Sequence, residues 1–473
     1  MRKFFYVLLS TAALSAESYS QDSTFFYSAG INATGSTVAV PLWLYANNHA
    51  AVPVRGSFVQ AAASFHRVYN RNNPRFLQWA GGAELVGYTG RKSNAFFTDL
   101  FIAGKVGPVE LAVGQRKEYM GLGDSVLTMG PIAMSSNYRP YPKIQLSTPN
   151  FVSLIPGNDI ISFKVSYGDG LLGQADVHYG NVSSVPDVYL HQKSLYLKFG
   201  KRSHRLNLFG GFNHQAIWGG EDKIFTGGLE KAEAYKYVIL GKPWAHSRVG
   251  NHFGTIDVAA EWKGKQWNIF LYRQTIYEDG SLSNLSTISD GLSGLRFKRR
   301  RKEANAPTFR FNTLLFEFLY TKNQGGAVFD YANGVYGKDN YFNHYVYNQG
   351  WSYRGRSLGT PMIAPQTTTR ENLFTSPTLF TANNLIIAYH LGAEASWKRM
   401  NFLLKGSFSQ NSGTYDDPIR PLAMQTSLLF RIEAPLNSTK NDIFGLSLAS
   451  DFGQLYAQNT AVMVSWRKSG FIW

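Results

Sequence analysis

Apolar and polar residues alternate in short segments of this chain, and this period of two constrains its fold more than any other feature. In residues 255–262, one face of an extended chain carries only apolar side chains, namely those of Ile256, Val258, Ala260 and Trp262. A turn at 263–265 follows, and the alternation resumes in residues 267–271. A hairpin with one apolar and one mostly polar face is typical of the wall of a β-barrel.

The same alternation recurs along most of the chain. Two clear examples are residues 194–199, before a turn at 200–202, and residues 391–397, before a turn at 399–400. Further segments of this kind are 54–69, 76–89, 95–105, 108–117, 160–168, 308–320, 383–390, 422–432, 443–452 and 455–466. A tilted strand needs about 10 residues to cross a membrane. The sequence therefore predicts an all-β fold, a transmembrane antiparallel β-barrel of about 16–18 strands with long extracellular loops.

Longer stretches without alternation separate these segments. They occupy roughly residues 120–158, 218–253, 278–306, 321–382 and 411–421. Since outer-membrane barrels have short periplasmic turns and longer extracellular loops, we expect these stretches to be extracellular. Within one of them, residues 229–240 are rich in Glu, Lys and Ala and are followed by Gly241, which predicts one short helix.

The last segment has the features of a closing strand. Val462, Val464 and Trp466 share one face, but the alternation breaks at 467–470. We expect either a bulge at Gly470 or a short tail, and the chain ends with the aromatic residue Trp473. A terminal aromatic residue is typical of barrels that the insertion machinery recognises, so that machinery is a predicted partner.

The N-terminus predicts export. Arg2 and Lys3 precede an apolar stretch at 4–14, and residues 18–20 are suited to a cleavage site, so we expect cleavage after Ser20. The apolar stretch is shorter than the ~20 residues of a membrane-spanning helix, and a lipoprotein anchor is excluded because the chain has no cysteine. The expected organisation is a signal peptide at 1–20 and a single barrel domain at 21–473, located in the outer membrane of a Gram-negative bacterium.

The composition agrees with a membrane barrel and indicates which partners to expect. Charged residues make up only 16% of the chain and aromatic residues 15%, a combination that suits a wall with aromatic girdles. The formal net charge is +16. Phosphates of lipopolysaccharide or an acidic polymer are possible partners, general surface basicity explains the charge equally well, and the export signal argues against nucleic acid.

Catalytic signatures are absent from the sequence. It contains no Gly-x-Ser-x-Gly elbow, no His-Glu-x-x-His helix and no phosphate-binding loop. The ten histidines are scattered without metal-ligand spacing. Asp416 and Asp417 are adjacent, so in a strand they would point to opposite faces and could not act as a carboxylate pair. We therefore expect no enzymatic activity, no metal and no cofactor.

Four clusters combine aromatic rings with polar groups that suit polyhydroxylated ligands. Rings stack on sugar faces, while Asp, Asn, Arg and His bond to hydroxyls and carboxylates. Packed loops or interfacial aromatic residues explain each single cluster as well. The candidate ligand-binding residues are Arg116, Asn137, Arg139, His214, Trp218, Asp279, Trp351, Tyr353 and Arg354.

At these clusters the sequence resembles the Wzi family of outer-membrane capsule-assembly proteins. The segments that carry the resemblance are 109–146 (VELAVGQRKEYMGLGDSVLTMGPIAMSSNYRPYPKIQL), 191–220 (HQKSLYLKFGKRSHRLNLFGGFNHQAIWGG), 271–295 and 350–362. The resemblance implies a monomeric 18-stranded barrel with lectin-like activity, which holds capsular polysaccharide at the cell surface. It also implies a helical element near the mature N-terminus, but residues 21–38 show no helical periodicity.

The sequence leaves two other functions open. The alternative from a different class is a porin-like diffusion channel for anionic solutes, and the third is an outer-membrane enzyme, for which no nucleophile–base set is visible.

A run of cations also needs a place outside the hydrocarbon. Residues 297–302 place five consecutive cations after Phe297, and lipid would penalise such a run by ~2–4 kcal/mol per cation at mid-depth. We expect Arg299, Arg300 and Arg301 in an extracellular loop, where they would meet either lipopolysaccharide phosphates or an acidic polysaccharide.

Overall fold

The computed structural model describes residues 24–70, 75–244, 247–278, 286–300, 308–330, 333, 335–437 and 441–472. The predicted signal peptide at 1–20, the candidate residue Asp279 and the terminal Trp473 lie outside the described residues. The signal peptide and the domain boundary at residue 21 therefore stay predictions.

Eighteen strands form one closed antiparallel wall. The sixth consists of two pieces that both pair with the seventh strand. In chain order the strands are β1 Phe25–Ser36, β2 Phe58–Arg67, β3 Leu77–Gly90, β4 Asn94–Val106, β5 Val109–Gln115, β6 Lys143–Ser147 with Val152–Ile155, β7 Asn158–Asp176, β8 Ser184–Phe199, β9 Leu206–Trp218, β10 Asn251–Lys263, β11 Trp267–Glu278, β12 Gly291–Arg299, β13 Arg310–Tyr320, β14 Ile386–Trp397, β15 Met400–Gly413, β16 Pro418–Pro435, β17 Asp442–Gly453 and β18 Asn459–Ile472. The predicted fold class is confirmed, at the upper end of the expected strand number.

The first and last strands close the barrel. β1 pairs with β2 on one side and with β18 on the other, from Ser36 opposite Ala461 to Phe25 opposite Ile472. This pairing has no register shift, so the predicted bulge at Gly470 is wrong. The apolar alternation stops at 467–470 because this part of the strand approaches the barrel rim, where the outer face leaves the hydrocarbon and polar side chains are tolerated.

Each strand separates a lipid-facing from a lumen-facing set of side chains. In β17, Phe444, Leu446, Leu448 and Phe452 are exposed on the outside, whereas Ser447, Ala449 and Asp451 are buried on the inside. With lipid around the wall, the exposed apolar side chains lie in hydrocarbon, and the pairing of β1 with β18 closes the sheet on itself, as a membrane requires.

The two ends of the barrel differ in the length of their connections. One end, the short-turn end, holds Phe25, Ile472 and the connections 107–108, 156–157, 264–266 and 398–399. The opposite, long-loop end holds the connections 37–57, 116–142, 219–250 and 321–385. By the rule for outer-membrane barrels, the short-turn end is periplasmic and the long-loop end is extracellular.

The expected extracellular stretch at 278–306 is therefore wrong in part. It contains β12, whose last residues Lys298 and Arg299 begin the cation run at the short-turn end. Arg300 donates from Nη1 to the carbonyl oxygen of Gly264 at 3.2 Å, and its backbone N–H donates to Gln266 at 2.9 Å. Arg299 and Arg300 thus lie on the periplasmic side, and Arg301 lies outside the described residues. The expected extracellular placement of Arg299 and Arg300 is therefore wrong.

Short helices occur only in connections at the long-loop end among the described residues. They are α1 Leu42–Tyr45, α2 Glu221–Ile224 and α3 Lys231–Leu240, with 3-10 turns at Gln366–Thr368 and Glu371–Leu373. Helix α3 confirms the predicted helix, and Gly241 ends it in the left-handed region at φ 60°. Within the described part of the chain, no helix combines the length and apolarity that crossing a membrane requires.

The connections 37–57, 116–142 and 321–385 fold into the lumen and create the main hydrophobic core there. Their backbones bond to each other, as in the bonds from Ser135 N–H to the Leu358 carbonyl at 2.8 Å and from Thr360 N–H to the Ile132 carbonyl at 3.2 Å. Trp351 is fully buried and donates from Nε1 to the Ala133 carbonyl at 2.8 Å. These contacts join segments more than 200 residues apart and fill much of the barrel on its long-loop side.

Candidate functional site

A segment of the first long connection divides the lumen. We call residues Val40–Val54 the partition segment; it contains α1. The N–H of Leu42 donates to Asp451 Oδ2 at 3.0 Å, and Trp43 Nε1 donates to Ser407 Oγ at 3.1 Å. Both acceptors are lumen-facing side chains of the wall. The Trp43 ring also packs against His390, with 4.8 Å between ring centroids. Because Leu42, Trp43 and Leu44 are buried, this end of the segment is firmly held.

The second half of the partition segment has an unusual backbone. Asn47, His49 and Ala50 adopt φ values of 55°, 52° and 54°, in the left-handed region. Each such residue other than glycine costs of the order of 1–2 kcal/mol relative to the right-handed conformation. The segment is held in this shape by His49 N–H, which donates to the Ser136 carbonyl at 2.7 Å, and by Arg356 Nη2, which donates to the Val52 carbonyl at 2.7 Å.

An inner chamber of about 380 Å³ lies on the short-turn side of the partition segment. Its lining combines small and polar wall residues such as Asn32 and Ser64 with charged groups of both signs. The charged lining residues are Glu84, Lys117, Arg431, Glu433 and Arg467. Lys117 and Glu84 form an ion pair. The chamber is therefore polar and close to balanced in charge.

An outer chamber of about 640 Å³ lies on the long-loop side. Val52 lines both chambers, so the two cavities come close to each other at this residue. The lining includes six cationic side chains and, among the described residues, no acidic one; the six are Arg55, Arg91, Lys92, Arg139, Arg354 and Arg356. A concave site lined by one sign of charge concentrates field and attracts counter-ions. The outer chamber is thus an anion-attracting cavity.

Aromatic rings hold three of these guanidinium groups in place. Arg139 lies over Phe96 at 4.0 Å from the ring centroid, Arg356 over Tyr45 at 4.6 Å and Arg354 near Tyr353 at 5.5 Å. Cation–π attraction fixes a guanidinium without occupying its N–H edge, so Arg139 and Arg354 keep donors that can bind a carboxylate or phosphate, whereas Arg356 uses Nη2 to bind the Val52 carbonyl. Arginine is suited to this role because its fork of donors is planar and always charged.

The pKa of Arg139 reflects partial burial and the nearby cation of Arg354, and the pKa of Arg356 reflects burial. Partial burial, and then the neighbouring cation of Arg354, lower the pKa of Arg139 below its ordinary value. Burial likewise lowers the pKa of Arg356. Because like charges close to one another raise the energy of the charged forms, an anion bound between them relieves that repulsion.

The structure places the candidate residues from the sequence at several sites. Arg139 and Arg354 meet in the outer chamber, and Tyr353 lies under Arg354. Asn137 is buried beside them and donates from Nδ2 to Ser357 Oγ at 2.9 Å. Trp351 lies deep in the core against Phe253, with 5.4 Å between ring centroids.

The remaining candidates lie elsewhere. Arg116 points into the lumen and binds Glu110 at 2.9 Å and Glu118 at 3.2 Å. His214 and Trp218 lie on the outer face of β9, where Trp218 stacks on Tyr235 at 5.3 Å. Asp279 lies outside the described residues.

The sequence did not single out Arg55, Arg91, Lys92 and Arg356. The candidate clusters in the sequence combine rings and polar groups that are adjacent in the chain, whereas these cations come from three separate connections. A signal did exist, because all four lie in connections that topology assigns to the same end of the barrel. Their convergence in one cavity depends on how the connections fold into the lumen, and the position of the connections in the sequence does not predict this.

Closed strand pairing, an apolar outer face and a polar lumen define the class of this protein. It is an outer-membrane β-barrel protein of a Gram-negative bacterium. No family model and no curated protein matches the chain.

Several solved barrels match almost its whole length at low identity. They include OccAB4 of Acinetobacter baumannii, at 10% identity and a TM-score of 0.46 over 95% of this chain and 99% of that one. OccK5 (OpdH) of Pseudomonas aeruginosa is 9% identical with a TM-score of 0.48 over 96% and 99%. OpdQ of the same organism is 8% identical with a TM-score of 0.47 over 96% and 100%. A likeness at this level transfers no ligand or mechanism, and the fold assignment stands on the strand pairing.

These comparisons correct the family expected from the sequence. The matched structures named above are Occ and Opd proteins, and no family model supports Wzi membership, so that assignment is wrong. The lectin-like function and the capsule-assembly role that depended on it are wrong with it. Physically, the residues that carried the resemblance serve mainly to pack the lumen, as Trp351 does, or the outer wall, as Trp218 does.

Proposed function

We propose that this protein is a porin-like diffusion channel for small anionic solutes. The observation that carries the proposal is the outer chamber, where six cationic side chains and no described acidic side chain line a cavity at the extracellular end. In this proposal, anions collect in the outer chamber, pass the partition segment and leave through the polar inner chamber.

The partition segment is the barrier along this route. Since Val52 borders both chambers, a shift of the backbone at this residue would join them. The left-handed residues Asn47, His49 and Ala50 store strain in the same half of the segment. Passage in this proposal follows loosening of that half, while the half around Trp43 stays anchored to the wall.

The proposal assigns diffusion to the protein and no catalytic step. The charged groups of the outer chamber act by attraction, and neither chamber lining needs to exchange a proton or form a bond with the solute. Selectivity then follows from charge and size, because the cavity favours anions and the opening at Val52 limits their width.

Uptake by proteoliposomes tests this function. Purified full-length protein is reconstituted, and entry of acetate, glycerol and ethanolammonium is compared with entry into empty liposomes. We expect acetate to enter fastest, because the cavity concentrates anions. The double variant R139Q/R354Q should slow acetate entry severalfold and leave glycerol entry unchanged.

A matched control removes two arginines from the short-turn end. R202Q/R205Q lowers the net charge of the protein by the same amount, at exposed positions outside both chambers. It should leave acetate uptake at the level of the unmodified protein. Entry of no solute above that of empty liposomes, or equal entry of acetate and ethanolammonium, would contradict the proposal.

A further inference from the structure

Helix α3 lies on the outside of the barrel wall. In β9, Leu206, Leu208 and Phe212 are exposed to the lipid side. The side chains that follow at the same alternation, His214, Ala216 and Trp218, must also point outward. All three are nevertheless buried. They are buried because α3 covers this part of the wall from outside.

Both apolar and polar contacts attach α3 to the wall. Ala234 and Val238 of the helix pack with Ala216 and Trp218 in a second hydrophobic cluster, separate from the lumenal core. The Tyr235 hydroxyl donates to Asp169 and lies 2.9 Å from the Tyr167 hydroxyl. The attachment is therefore specific, and α3 does not merely rest on the surface.

Beneath α3 the wall carries polar side chains on its lipid-facing side. His191 Nδ1 lies 2.9 Å from Asp169 Oδ1, and His214 Nε2 lies 2.9 Å from His252 Nδ1. Such residues would be costly in contact with lipid. The cover of α3 makes them acceptable, and it shows that the wall at this height was not built to meet hydrocarbon.

The position of α3 corresponds to the level of the lipid headgroups. Tyr167 precedes Asp169 on β7, and Phe212 precedes His214 on β9, so both rings lie slightly nearer the membrane centre than the polar residues under α3. Both rings point outward and are partly exposed. Tyrosine is enriched where a barrel wall passes from hydrocarbon to headgroups. Since the long-loop end is extracellular, α3 lies beside the headgroups of the outer leaflet.

The surface of α3 has the composition of an interfacial helix. Lys231 and Lys236 in the helix and Lys242 just beyond it are exposed, and Leu240 is 62% exposed. Glu233 within the helix and Glu230 at its N-cap are the exposed acids. Two further cations hold the end of the helix, since Lys193 Nζ donates to the Ile239 carbonyl and Arg248 Nη1 donates to the Gly241 carbonyl. Lysines together with an exposed leucine are typical of helices that lie in a membrane interface.

We propose that the outer surface of α3 binds the phosphate groups of lipopolysaccharide in the outer leaflet. Lysine ammonium groups bind phosphate as point charges, and Leu240 is placed to contact the adjoining acyl region. The positive net charge of the chain indicated lipopolysaccharide phosphates as a partner. Arg299 lies at the periplasmic end of the barrel, however, whereas lipopolysaccharide lies in the outer leaflet. The proposal is independent of the channel function because α3 lies outside the lumen.

Binding of purified lipopolysaccharide to the detergent-solubilised full chain tests the proposal. The variant K231Q/K236Q/K242Q should bind at least about tenfold more weakly, because each lysine near an anionic lipid surface adds to the electrostatic attraction. The affinity of the unmodified protein should fall as salt rises, since exposed charges are screened. Lipopolysaccharide from which the phosphates have been removed should bind the unmodified protein as weakly as intact lipopolysaccharide binds the variant.

The matched control changes three lysines of the short turns. K201Q/K265Q/K398Q removes the same charge at the periplasmic end and should keep the affinity of the unmodified protein. An α3 variant with unchanged affinity, or a control with an equal loss, would overturn the proposal. Heat-dependent gel migration verifies that each variant is folded, and acetate uptake by the α3 variant should be normal, so failure here and failure of the channel function remain distinguishable.

Discussion

At the scale of single residues, neighbouring arginines of the outer chamber have different tasks. Arg354 is exposed and reaches into the cavity, whereas Arg356 is 8% exposed and donates to the Val52 carbonyl of the partition segment. One side chain attracts solute and the other holds the barrier. The two positions are two residues apart, so they form a natural pair for comparison.

Substitution of these two arginines should have opposite effects. R354Q removes an attracting charge and should reduce anion uptake, with no rise in the uptake of neutral glycerol. R356A removes the hydrogen bond to Val52 and the packing on Tyr45, so the barrier should loosen and glycerol uptake should rise. Proteoliposome swelling measures both effects. Identical changes in the two variants would show that the residues do not divide these tasks.

Glu317 is the buried anchor of the connection 116–142. Its carboxylate accepts hydrogen bonds from Met129 N–H and Thr128 Oγ1, each at 2.6 Å, and from the Tyr272 hydroxyl. In E317Q the side-chain NH2 group faces these donors and cannot accept their hydrogen bonds. The substitution should therefore weaken the attachment of the connection 116–142 to β13 by about 1–3 kcal/mol. We expect faster cleavage within 116–142 by added protease. D416N, which breaks an exposed ion pair with Lys338, should leave the cleavage rate unchanged.

At the scale of elements, the sequence predicts strands where their two faces differ clearly. The segments at 255–262 and 443–452 were predicted correctly as strands because one face is uniformly apolar. β12 was missed, since Leu292 points inward and is buried while Ser293 and Arg299 point outward, which destroys the alternation. Its place is fixed by pairing with β11 and β13, and sequence alternation does not report that pairing.

The partition segment should respond to acid through His49. Burial, and then the nearby Lys117 cation, lower the pKa of His49 from the ordinary 6.5 to about 4. Since the folded-state pKa is depressed, the neutral imidazole contributes its full stability above pH 6.5, and that contribution is lost as pH falls through about 4. Glu84, Asp99 and Glu118 oppose the shift. We therefore expect the barrier to loosen, and conductance to rise, below about pH 5.

Conductance between pH 7 and pH 4 checks this expectation. H49Q cannot acquire the charge and should show a flatter pH dependence. H344Q is the matched control, because burial lowers the pKa of His344 to about 3 and this residue lies outside the partition segment and both chambers. A pH response that H49Q retains in full would assign the titration to another group.

At the scale of the whole molecule, the wall could be predicted from the sequence but the contents of the lumen could not. Alternation is a local property, and it gave the fold class and the approximate strand number, whereas the stretches 120–158 and 278–306, predicted as loops, each contain a strand. The filling of the lumen depends on contacts such as Trp351 with Ala133 and Arg356 with Val52, which join residues far apart in the chain. The candidate site was predicted only in part for the same reason, with Arg139 and Arg354 identified and Arg55 and Arg91 missed.

The partition segment as a whole sets whether the barrel conducts. Replacement of residues 47–52 by a Gly-Ser linker of equal length removes the left-handed residues and the side chain of Val52, while Trp43 keeps its anchor on Ser407. We expect single-channel conductance to increase severalfold over the unmodified protein. Heat-dependent gel migration verifies that the wall is intact. An unchanged conductance would place the barrier elsewhere in the lumen.

The reversal potential in a potassium chloride gradient across a planar bilayer tests the channel assignment most directly. The outer chamber predicts that chloride is more permeant than potassium, and that R139Q/R354Q shifts the reversal potential toward zero while R202Q/R205Q does not. Absence of any conductance by the unmodified protein and by the variant with the linker at 47–52, or a reversal potential of the sign expected for potassium selectivity, would contradict the account.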